Sequence, residues 1–107
     1  MKNNLEYVWE QLMLSVMSLV SSENSARERL INAVLSRTHR IFLDKNAIKS
    51  YPEIFNLVES LENTLTENGT KPYKESIDQM DEMTVTNTAE QIVELFSKVC
   101  RNYPEIN

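Results

Sequence analysis

A chain of 107 residues suits one domain with one modest core, and a single Gly and three Pro among plentiful Leu, Ile, Val and Met disfavour an all-β or loop-rich fold. The net charge of −5, from 16 acidic and 11 basic residues, counts against general nucleic-acid binding. The lone cysteine, Cys100, excludes an internal disulfide and fits a reducing compartment, so a cytoplasmic location is expected.

A first helix is expected over about residues 4–22. Asn3 or Asn4 can cap it, and Leu5, Val8, Trp9, Leu12, Val16, Leu19 and Val20 form its stripe, with Met13 at the edge. Lys2 followed by the apolar run Leu12 to Val20 resembles a signal peptide, but Glu6, Glu10 and the helical period oppose that reading. The run is also too short to span a membrane. Tyr7 and Leu14 fall on the opposite side of this helix, seven residues apart and nearly aligned. They are either scattered surface side chains or a second contact face, for the segment after Gly69 or for another subunit.

Ser21 to Asn24 make a short polar turn, so the second helix, about 25–43, should run antiparallel to the first. Ser25 and Glu28 form a capping box at its start. Ala26, Leu30, Ala33, Val34 and Ile41 lie on one side, and Ile31, Leu35 and Phe42 widen that arc to roughly half the circumference. Arg37 sits inside the arc near Leu30 and Ile41, with Arg27 and Thr38; Arg29, Asn32, Ser36, His39 and Arg40 face outward. The segment 27–49 carries a charge of +4, against −9 for the rest of the chain. An inward guanidinium must be paired or must reach out to water. Glu59 or Glu62 is the expected partner of Arg37. The alternative is that Arg37, Arg40 and Arg29 bind an anionic group on a partner.

Asp44 to Lys49 read as a connector. The third helix, about 51–67, should start with a Ser50–Glu53 capping box and Pro52 in the first turn. Its stripe is Ile54, Leu57, Val58, Leu61 and Leu65, with Tyr51, Phe55 and Glu62 at one edge. Asn68-Gly69 should end it through a left-handed glycine. Asn68-Gly69-Thr70 is formally a glycosylation sequon, read as a chance match in the absence of a convincing signal peptide. A short surface helix is expected over about 73–83, on the narrow line Tyr73, Ile77 and Met80. Thr84 or Asn87 should open the last helix, about 85–102, with Asn87 and Glu90 as a third capping box. Its stripe is Val85, Ala89, Ile92, Val93, Leu95, Phe96, Val99, Cys100 and Tyr103, and Pro104 stops it. The expected fold is all-α: one domain, 1–107, an antiparallel bundle of four main helices and one short surface helix.

Nothing in this pattern assembles a reaction. His39 is the one histidine, without a carboxylate, serine or cysteine partner nearby in sequence, and reads as a solvated surface residue. One His and one Cys on separate helices do not make a zinc site, and Cys100 reads as a buried, inert thiol. Asp78, Asp81 and Glu82 lack loop spacing for a hard cation and read as a solvated acidic face. No catalytic residue, metal, cofactor, small-molecule substrate or membrane contact is therefore expected. The expectation is a small, acidic, non-enzymatic protein-binding or regulatory module, whose partner is another protein or a second copy of the chain. Candidate partner-binding residues are Tyr7, Leu14, Arg29, Arg37 and Arg40. An inhibitor- or immunity-like variant of this reading would instead use the acidic surfaces of the third helix and Glu75 to Glu82 against a basic protein. The alternative is a nucleic-acid module binding through the Arg29, Arg40, Lys45 and Lys49 surface, with the second helix as its reading element.

Overall fold

The computed structural model describes residues 4–21 and 24–102, and all of its long elements are helices. The first, α1 (Asn4–Leu19), stops before the expected end at residue 22; Ser22 and the Asn3 cap lie outside the described residues. Leu5, Val8 and Leu12 face the core, as the stripe predicts.

The capping box of α2 (Ala26–Ala33) forms as expected. The Ser25 hydroxyl accepts from the Glu28 N–H at 3.2 Å and donates to Glu28 Oε1 at 3.1 Å. The rod then widens into one π turn (Val34–Thr38) before continuing as α3 (His39–Leu43). The spacing of the buried residues explains the widening. Leu30, Val34, Thr38 and Phe42 are buried at strict four-residue intervals. In an ideal helix of 3.6 residues per turn that row drifts round the axis; a turn closed by i→i+5 bonds takes up one extra residue and brings it back. Leu35 thereby turns outward and is 47% exposed, against its place in the expected arc.

The connector after α3 is a short 3-10 turn (Lys45–Ile48) that buries Ile48 completely. α4 (Pro52–Thr66) begins one residue later than the Ser50 box requires. Tyr51 is its N-cap, without a side-chain cap, and Pro52 occupies the first position. Glu53 instead pairs with Lys98 at 2.6 Å, and this contact holds its carboxyl below the usual carboxylate range. The helix ends on three successive left-handed residues, Glu67 (φ 48°), Asn68 (φ 60°) and Gly69 (φ 85°), so the reversal starts two residues before the glycine. α5 (Tyr73–Asp78) is shorter than expected, and its Ile77 is fully buried against α2 and α4.

The last helix, α6 (Glu82–Arg101), starts earlier than Thr84 or Asn87. Asp81 caps it, accepting the Thr84 N–H at 2.7 Å. The Thr84 side chain and amide together hold the Asp81 carboxyl below its ordinary range. Asn87 and Glu90 are interior, so the third capping box does not form. On α6, Val93 is 46% exposed and Cys100 is exposed, two corrections to the expected stripe. Tyr103 and Pro104 lie outside the described residues.

α1 packs most extensively on α6, then on α2 and the π turn; α4 packs on α6 and α5. Trp9 and Phe96 meet across the α1–α6 seam with ring centroids 6.3 Å apart. Residues from every helix join one core cluster centred on Leu12, Leu30, Val34, Val58, Ile92 and Val99. Each fully buried aliphatic side chain there contributes about 1.5–3 kcal/mol of burial. Among the described residues no helix is long and apolar enough to cross a membrane.

Candidate functional site

The π turn is pinned to α1 by a buried polar cluster. Gln11, Ser15 and Thr38 are 6%, 0% and 0% exposed. The Ser15 and Thr38 hydroxyls lie 2.8 Å apart, with the Gln11 carbonyl 2.8 Å from Ser15 Oγ and the Ala33 carbonyl 3.3 Å from Thr38 Oγ1. Each hydroxyl has one proton, so two of these three contacts are hydrogen bonds at any moment. Gln11 Oε1 is the one buried side-chain polar atom without a partner among the described residues.

The same turn orients His39. Its backbone N–H reaches back to the Val34 carbonyl, and its Nδ1 lies 3.1 Å from that oxygen. A carbonyl only accepts, so in this contact Nδ1–H is the donor. One side of the ring faces Tyr73, at 6.5 Å between centroids, and Tyr73 in turn stands 5.9 Å from Phe42. Burial pushes the Tyr73 phenol up from its ordinary pKa, and the nearby Glu62 charge adds to this.

Beside His39 a shallow groove of about 410 Å³ opens between α1 and α3, lined by Tyr7, His39, Arg40, Leu43 and Asp44. Leu43 is 80% exposed although it closes a core helix. The groove combines a phenol, an imidazole, a guanidinium, a carboxylate and a bare aliphatic side chain. Of these, Arg40 can pair with a carboxylate next to an apolar group, while Asp44 can only accept from a donor.

Tyr7 and Arg40 are therefore the two candidate residues that the fold brings together. Leu14 and Arg37 are half-buried and do not line this groove. Arg29 is at the far end of α2, where its Nη1 donates to the Ser21 carbonyl at 2.7 Å. It lines a separate, largely apolar groove of about 310 Å³ with Val20, Ala89 and Val93. The expected ion pair of Arg37 with Glu59 or Glu62 does not form. Lys45 takes that place, with Nζ 2.5 Å from Glu62 and 3.4 Å from Glu59. The hydrogen bond to Glu62 raises the Lys45 pKa above its ordinary value. The arginine that does reach inward is Arg27, which donates to the Ile77 carbonyl and pairs with Glu82 at 2.9 Å.

His39, Leu43 and Asp44 were not legible as groove residues. A wheel placed His39 with Asn32 on a plain polar face, because the π turn and the neighbouring aromatic rings leave no local signal. The acidic trio is divided among other tasks: Asp78 pairs with Lys74 at 2.8 Å, Asp81 caps α6 and Glu82 holds Arg27. Among the described residues no group of three His, Cys, Asp or Glu side chains is placed to hold a metal ion. No protein-family model, curated protein or solved structure matches this chain.

Proposed function

We propose that this chain is a non-enzymatic protein-binding module whose contact surface is the groove between α1 and α3. One observation carries the reading: Tyr7, His39, Arg40 and Asp44 share a groove with a leucine, Leu43, that is 80% exposed. Tyrosine and arginine are enriched among the residues that carry binding energy, and the exposed aliphatic side chain in the same groove supplies the apolar anchor. The matching partner presents a carboxylate or similar anion beside an apolar residue.

The acidic alternative is less well supplied. The outer face of α4 presents Asn56, Ser60, Asn63 and Thr64 between Glu59 and Glu67, with no apolar anchor, and Glu59 is engaged by Lys45. The same engagement weakens a nucleic-acid surface, since Lys45 is one of its four cations.

The test is capture from the native host with three forms of the protein. Arg40→Glu combined with Leu43→Ser removes both anchor types at exposed positions, so the far-UV circular dichroism and melting temperature should not change. Loss of a hot-spot residue costs about 2 kcal/mol or more, roughly thirtyfold in affinity. Partners held by the unchanged chain should be lost from this variant and kept by Asn56→Ala on the α4 face. Retention of every partner by the double variant would remove the groove from consideration.

A further inference from the structure

We propose that Asn68 is a site of spontaneous covalent self-modification, and that the Thr66 hydroxyl sets its rate. Of the eleven asparagines in the chain, only Asn68 is followed by glycine, the single Gly69. The Cβ of a following residue is what hinders closure of an asparagine amide onto the next backbone nitrogen, and glycine has none. The surroundings add no hindrance either: a Cβ built on Gly69 meets nothing within 4 Å. Asn68 is exposed on the α4–α5 turn, in a left-handed conformation with φ 60°.

The step balances without an oxidant. The Gly69 nitrogen gives up its proton to solvent and bonds to Asn68 Cγ. The Cγ–Nδ2 bond breaks, the side-chain nitrogen leaves as ammonia, and a five-membered succinimide remains. Water then adds to either ring carbonyl, and opening leaves aspartate or isoaspartate. Water is the one co-reactant.

What restrains the attack is visible in the hydrogen bonds. The Gly69 N–H, the group that must be freed, donates to Thr66 Oγ1 at 2.9 Å. Thr66 is itself anchored, donating to the Glu62 carbonyl at 2.8 Å. Ring closure also requires rotation at Asn68, whose own N–H is tied to the Asn63 carbonyl at 2.9 Å. The product adds a carboxylate beside Glu67, at the C-terminal end of α4 where the helix carbonyls already repel negative charge. Lys71, 3.3 Å from Glu67 Oε2, is the cation at hand. Isoaspartate also lengthens the backbone by one carbon in a turn of three left-handed residues.

The experiment incubates the full chain at mildly alkaline pH in ¹⁸O-labelled water and follows the peptide carrying Asn68 by mass spectrometry. Aspartate and isoaspartate, each holding one solvent oxygen, should accumulate at Asn68 while the other ten asparagines stay intact. Gly69→Ala should slow the conversion several-fold. Thr66→Val should speed it several-fold, and Thr66→Ser, which keeps the oxygen, should return it to the original rate. That return separates the hydrogen bond from a loss of folding, which circular dichroism checks for each variant. Conversion at Asn68 no faster than at the other asparagines overturns the proposal. An unchanged rate in Thr66→Val overturns the role of the hydroxyl.

Discussion

Thr38 shows how much one hydroxyl can decide. It is fully buried, yet its hydroxyl is within hydrogen-bond distance of both Ser15 Oγ and the Ala33 carbonyl. Thr38→Val keeps the shape but removes these bonds, and Ser15 then loses its cross-helix partner. A cost of about 1 kcal/mol is expected from urea denaturation. Ser15→Ala added to Thr38→Val should recover part of that loss, because two apolar groups of matching shape leave no buried hydroxyl facing a methyl. Additive losses in the double variant would show that the hydroxyl contact carries no energy. Arg37, the next residue back, illustrates the opposite case. A uniform 100° step places it in the arc, but the turn does not keep that step, and Lys45 is the cation that Glu59 and Glu62 hold.

At the scale of elements, one of three capping boxes formed, and the reason is the same in each failure. A Ser-x-x-Glu or Asn-x-x-Glu spacing is local, whereas the first helical residue is set by where the core row begins. Pro52 and the buried Ile54 place the start of α4 after Tyr51, and Asp81 reaches Thr84 before Asn87 is needed. Helix existence, order and the centre of each core face were legible because the apolar period spans each whole element; the edges of the stripes, at Val20, Leu35, Val93 and Cys100, were not. The π turn left one trace, an apolar arc too wide for a single helix face, with buried residues at strict four-residue spacing. It carries a specific expectation. Deleting Ser36, an exposed residue inside the turn, should convert it to ordinary α-helix and leave residues 39–43 in register with 26–33. The variant should keep its helical circular dichroism and cooperative melt. A deletion of Ser60 in the middle of α4 rotates every later core residue, and should abolish folding. Similar damage from both deletions would contradict this account of the turn.

For the whole molecule, the site was legible only in part. Tyr7 and Arg40 could each be named from the sequence, but their proximity could not, since it follows from how α1 and α3 cross. Cys100 and Val93 were assigned to the core because the α6 stripe is broader than the surface that α1 and α4 cover. The α1–α6 seam has a further consequence, for how the chain can be watched as it folds. Trp9 is the only tryptophan, and it touches Phe96, a residue most of the chain away. Its emission therefore reports the closure of the first helix on the last, while circular dichroism reports the helices themselves, which at these lengths depend on packing for their stability. A chain of this size with one core should unfold in a single cooperative step. Tryptophan fluorescence and far-UV signals should then give superimposable denaturation curves. A fluorescence transition that runs ahead of the helical signal would mean that α1 leaves α6 while the rest of the bundle still holds.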